Sequence, residues 1–216
     1  MKVLFDYNQE KDVWCILNYG KSSNNSSEPT KVYKKLISEY GENPTNQNAI
    51  DFIEKYISEN NINIEDYINN YQNDWDSISE EYIKRAEKIF KISLPKDVTA
   101  YLTINNRCPY DIFNNLFFAN FPSSSIKIVV MHELWHFYTW YKFGIIWEEK
   151  LGKQKYNDLK ESLTVLLNIE FKDLMQEGEQ DYGYPQHKEL REKITQLWNE
   201  TTDIEKLWST LAQSLH

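Results

Sequence analysis

A mostly helical α+β fold is the expectation for these 216 residues, and three observations carry it. Stretches in the first ninety residues and in the last third repeat their apolar residues at helical spacing behind Pro, Thr or Ser start signals. Val98, Ala100, Leu102 and Ile104 alternate with Thr99, Tyr101 and Thr103, the period of two that marks a half-exposed strand. A second extended segment, Leu116 to Phe121, precedes a stretch from Ile126 to Phe143 that is apolar round nearly its whole helical circumference, as a helix buried in a core would be.

Taken in order, residues 2 to 6 read as a short strand and Lys11 to Tyr19 as a helix with Val13, Trp14, Ile16 and Leu17 on its apolar side. Ser22 to Thr30 is a polar loop. Pro29 and Thr30 start a helix that Gly41 stops after Tyr40, and Pro44 and Thr45 start another that runs to about Glu59. Ser77 and Glu80 form a capping-box pattern that opens a helix to Phe90, with Ile78, Tyr82, Ile83, Ala86 and Ile89 on its apolar face, and Pro95 closes the run. NNRCPYD is the turn after the alternating strand. Ser123 to Ser125 offer N-caps for the apolar helix, and Gly144 is its expected stop. Helices are then expected from Gln154 to about Phe171, His187 to Trp198 and Thr202 to Leu215, with the turn-rich GEQDYGYPQ between the first two. The expected division is an N-terminal helical part, residues 1–94, and a second part, residues 95–216, with no linker that demands separate domains.

Composition narrows the function classes. A net charge of −9 argues against nucleic acid as a partner, because phosphate binding needs clustered Lys and Arg. The first residues turn charged after Phe5 with no apolar run, so a secretory leader is not expected and the cytoplasm is the default. Only Cys15 and Cys108 are present, which fits a reducing compartment and no disulfide scaffold. Ile126 to Trp147 is long enough to span a bilayer, but Lys127, His132, Glu133, His136 and Lys142 interrupt it, so a core helix is expected and no membrane.

His132, Glu133 and His136 spell HExxH inside that apolar helix. Histidines four apart share a helix face and can bind one zinc ion, and the glutamate beside them can act as a general base. Leaving two imidazoles and a carboxylate buried without partners would cost roughly 1 to 3 kcal/mol per group, and a bound metal would compensate them. The accidental reading is disfavoured because burial and spacing agree. Two histidines and a carboxylate suit zinc, though iron and manganese accept the same set.

HELWH, a strand-like segment before it and a glutamate on a later helix together resemble the gluzincins, zincin metallopeptidases that include the thermolysin-like enzymes; the resemblance covers roughly residues 96 to 175. It implies a zincin-like catalytic core with a small sheet packed on the HExxH helix. It also implies a third zinc ligand on a following helix, for which Glu161, 25 residues past His136, is the candidate. Glu161, Thr164 and Asn168 share a helix side as a ligand with polar supporting neighbours would. Thermolysin-like enzymes carry an Asp four residues after the ligand glutamate; Val165 stands here, so that support is absent. Asp181 and His187 are rival third ligands. His187 is preferred as the donor that stabilises the oxyanion, a role Tyr182 or Tyr184 could also take. Cys108 reads as a free structural thiol.

The resemblance implies peptide-bond hydrolysis, with His132, His136 and Glu161 holding Zn2+, Glu133 activating water and His187 assisting. The substrate, a peptide or protein, would lie along an edge strand, for which Phe118, Ala119 and Asn120 are the candidates. The alternative is a nonproteolytic metal-binding or regulatory interaction protein that retains the HExxH helix.

Overall fold

The computed structural model describes residues 1–22 and 28–215, so Ser23 to Ser27 of the expected polar loop lie outside the described residues. The architecture is α+β and mostly helical. Its elements are β1 (Val3–Asp6), α1 (Gln9–Tyr19), α2 (Lys31–Tyr40), α3 (Asn46–Glu59), α4 (Ile64–Phe90), β2 (Val98–Thr103), β3 (Tyr110–Asp111) and β4 (Leu116–Asn120). They continue with α5 (Ile126–Leu151), α6 (Lys153–Leu163), a 3-10 turn (Thr164–Leu166), α7 (Leu167–Glu170), α8 (Lys188–Thr201) and α9 (Ile204–Leu215). Contacts group them into two compact units: residues 1–75 with 96–126, and residues 76–95 with 127–216.

The first unit contains a four-stranded mixed sheet in the order β1-β2-β4-β3. β1, β2 and β4 run parallel, with Val3 opposite Val98 and Thr99 opposite Leu116, and β3 closes the sheet antiparallel to β4. Val98, Ala100 and Leu102 are buried while Thr99 and Tyr101 are not, which is the alternation read from the sequence. β4 buries Phe117, Phe118 and Ala119 in succession, as a strand covered on both faces does. Phe118 N also donates to Pro109 O at 2.9 Å, so β4 is an interior strand as far as Phe118 rather than the expected edge. The edge strands are β1 and β3, and Gln72 blunts β1: its amide accepts from Phe5 N and donates to Val3 O, both at 3.1 Å.

Two helix starts follow the sequence closely. Thr30 accepts from Tyr33 N at the head of α2, and Thr45 and Asn48 exchange bonds in a capping box at the head of α3. The Ser77 start does not exist: α4 begins thirteen residues earlier, where Asn63 Oδ1 accepts from Glu65 N and Asp66 N, and Ser77 lies in mid-helix. Tyr71 and Trp75 extend the buried stripe of Ile78 and Tyr82 back into that first half, between polar residues that make it less conspicuous in the sequence.

In the second unit α5 is the central element. Val130, Met131, Leu134, Trp135, Phe137 and Tyr138 are all fully buried. Tyr82 of α4 donates to Met131 O at 2.8 Å, and Phe90 stacks on Tyr138 with ring centres 5.4 Å apart. Gly144 does not end α5. A Cβ there would come 2.6 Å from the Trp140 ring, so the glycine makes room for that indole, and Gly152, at φ +78°, follows the actual end. Farther on, Phe143 stacks on Trp208 of α9 at 4.3 Å. The long helix expected from Gln154 to Phe171 is broken into α6, the 3-10 turn and α7. Among the described residues no helix is long and apolar enough to cross a membrane.

Candidate metal centre

His132 and His136 sit one helical turn apart on α5, so their rings project from one face. Their Nε2 atoms lie 3.0 Å from each other. Glu161, on α6, brings Oε2 to 3.4 Å from His136 Nε2 and 3.7 Å from His132 Nε2. Zinc bonds of about 2.0 to 2.1 Å at tetrahedral angles hold neighbouring ligand atoms about 3.3 Å apart, so these three spacings bracket what one ion requires. His132, His136 and Glu161 are the group of histidine, cysteine or acidic residues that could hold a metal among the described residues. Two imidazole nitrogens and one carboxylate oxygen are a donor set that suits zinc.

Around the three donors the protein has built supports. His132 Nδ1 donates to Asp181 Oδ2 at 2.6 Å, which leaves Nε2 as the ring atom turned to Glu161 and His136. Asp181 is itself fixed: Thr164 Oγ1 donates to Oδ1 at 2.8 Å and Arg191 Nη1 lies 2.9 Å from the same oxygen. Asn168 both accepts from Asp181 N at 2.7 Å and donates to Asp181 O at 2.8 Å, and Arg191 Nη2 donates to that carbonyl at 2.6 Å. Thr164 and Asn168 thus both reach Asp181, and Thr164 Oγ1 also lies 2.8 Å from the main-chain carbonyl oxygen of Glu161. The 3-10 turn that interrupts the helix carries Thr164, and Gly183, at φ +61°, lets the Arg191 guanidinium pass where a Cβ would come within 2.6 Å.

Electrostatics follows the burial. Burial pushes the Glu133 carboxyl up to about 7 against the pull of His132. Its Oε2 is buried with no hydrogen-bond partner among the described residues. Burial pushes His136 down to about 4. For His132 burial acts in the same sense, but the Asp181 carboxylate outweighs it and holds the ring well above its usual value. Glu161 and Asp181 are both held down: burial opposes their ionisation, and the charges and hydrogen bonds of the histidines overcome it, with Lys160 helping Glu161 and Arg191 helping Asp181.

The remaining sequence candidates are placed differently. His187 is buried, with Nε2 3.1 Å from Asp158 Oδ1 and its ring edge-on to Tyr184 at 5.7 Å. Phe118, Ala119 and Asn120 belong to the first unit; the first two are buried, and the Asn120 amide donates to the carbonyls of Thr103, Ile104 and Asn105. Cys15 and Cys108 are not joined in a disulfide. Sequence reasoning missed the supporting role of Asp181, and it missed Arg191 and Lys160 altogether. A glycine between two tyrosines in GEQDYGYPQ was the one local sign that a bulky group passes close to that loop.

Comparison with known proteins adds no relative. No family model, no curated protein and no solved structure matches the chain.

Proposed function

We propose that the chain is a zinc-dependent peptide hydrolase with a gluzincin-like site on a zincin-like core. The observation that carries the reading is the convergence of His132 Nε2, His136 Nε2 and Glu161 Oε2 within 3.7 Å of one another, beside a buried glutamate oxygen that has no partner among the described residues. The ion, when bound, would supply Lewis acidity to the scissile carbonyl and to the attacking water. His132, His136 and Glu161 hold it, and Asp181 keeps the proton of His132 on Nδ1 so that Nε2 is free to ligate. Glu133 takes a proton from the water at Oε2, which is buried with no hydrogen-bond partner among the described residues, and delivers it to the leaving amine. For the oxyanion the chain offers His187, once its hold on Asp158 is exchanged, or the exposed Tyr182 and Tyr184. The substrate is read as a peptide or protein. The segment Phe118 to Asn120 carries little of this proposal, because its side chains are buried or engaged within the first unit.

The test is cleavage of a peptide library by zinc-loaded protein, followed by mass spectrometry, with Glu133→Gln and chelated protein beside it. The proposal expects cleavage by the wild type, loss on chelation, and a loss of about 100-fold to 10,000-fold in Glu133→Gln with zinc content unchanged. Undiminished cleavage by Glu133→Gln, or none by a wild type that holds its zinc, would sink the peptidase reading; the second result leaves a metal-binding protein.

A further inference from the structure

We infer that Lys160 is a positioning residue of the metal centre: by holding Oε1 of Glu161 it confines that ligand to its other oxygen and keeps one coordination place clear for water. The inference rests on the metal reading above.

Neighbouring residues of an α-helix point about 100° apart and do not ordinarily meet. Yet Lys160 Nζ lies 3.0 Å from Glu161 Oε1, and its side chain is only 4% exposed. A surface lysine keeps its ammonium in water and lays its methylene stem along the protein, and lysines are almost never fully buried without a charge partner. Here the stem is turned inward towards the residue next to it. The two oxygens of Glu161 are thereby made unlike: Oε1 faces the ammonium, and Oε2 faces the two histidine nitrogens at 3.4 and 3.7 Å.

A carboxylate can bind a cation through one oxygen or through both. A catalytic zinc site uses three protein ligands and leaves its fourth position to water or substrate, so a glutamate that grips with both oxygens fills the place the chemistry needs. An ammonium 3.0 Å from Oε1 competes with the ion for that oxygen. A lysine that served only to balance the buried charge of Glu161 would not alter how many oxygens reach the ion.

The experiment loads the full-length chain with Co2+, whose visible absorption is intense in four-coordinate sites and weak at higher coordination. Wild type and Lys160→Met are expected to bind Co2+ equally in amount, with Lys160→Met losing most of its visible intensity and Lys160→Arg recovering it. Equal spectra from wild type and Lys160→Met overturn the inference and leave the metal reading standing. Failure of the wild type to bind Co2+ or Zn2+ overturns the metal reading and this inference with it. Because Lys160→Met can disturb folding, X-ray absorption of the zinc-loaded wild type provides a measurement without any variant: one short carboxylate oxygen supports the inference, and a chelating pair refutes it.

Discussion

Two buried carboxylates show how differently one residue type behaves in this molecule. Asp181 is ionised and acts through others. With His132 Nδ1 at 2.6 Å and the Arg191 guanidinium at 2.9 Å, it fixes the direction in which His132 presents its other nitrogen. Asp181→Asn keeps an acceptor but removes the charge, and zinc affinity is expected to fall about 10-fold to 100-fold with the fold intact, read by competition with a chromophoric chelator. An unchanged affinity would mean that Asp181 holds the loop rather than the ligand. Asp12, in the first unit, is the opposite case. It accepts from Thr103 Oγ1 at 2.5 Å and from Ile104 N at 3.2 Å, yet burial still pushes its carboxyl up to about 7 from an ordinary 3.8. Between those values the folded protein binds more protons than the unfolded chain, so stability falls as pH rises from about 4 to about 7 and is level outside that window. Asp12→Asn, neutral throughout, should flatten that part of the profile by something of the order of a few kcal/mol, measured as the difference between the variant and the wild type in urea melts at the two ends. Parallel profiles for the two proteins would count against the raised carboxyl.

At the scale of elements, breaks in regular structure matter more than the helices they interrupt. The turn from Thr164 to Leu166 tightens the chain just past Glu161, and Thr164 meets Asp181 there. The loop carrying Asp181 depends on Gly183, whose positive φ and missing side chain let Arg191 reach the Asp181 carbonyl. Gly183→Ala carries a left-handed strain of roughly 1 to 2 kcal/mol and pushes the guanidinium aside, so it should lower both the melting temperature and zinc affinity. Gly152→Ala is the comparison: at φ +78° and ψ 155° its backbone is also one that L side chains rarely adopt, but nothing lies within 4 Å of the new Cβ. Stability should fall there without loss of affinity. Equal affinity losses in the two variants would show that strain alone, transmitted through the unit, weakens the site.

At the scale of the molecule, all the residues of the proposed metal centre belong to one of the two compact units, residues 76–95 with 127–216. An ion that binds only the folded form stabilises it by about 2.7 kcal/mol at a concentration 100 times its Kd. Zinc should therefore raise the melting temperature of the wild type and slow hydrogen exchange in α5, α6 and the loop from Gly178 to His187, with the gain reversed by chelation. No shift in either measurement would speak against a specific site. How much of this could be read beforehand depends on distance along the chain. The caps Thr30 and Thr45, the alternation from Val98 to Leu102 and the shared face of His132 and His136 are effects of one turn or one strand, each contained in a stretch of four or five residues. The same short range misleads at Ser77, where a capping pattern sits inside a helix already under way, and at Gly144, where an expected stop makes space for Trp140. The sequence by itself determined the fold class, most element positions and the HExxH pair. Only the tertiary structure decided that Asp181 backs His132, that Arg191 backs Asp181 and that Lys160 turns inward to Glu161. The first two bonds join residues 49 and 10 positions apart, a separation to which local pattern is blind. The third joins neighbours whose helical directions diverge, so only packing could bring them together.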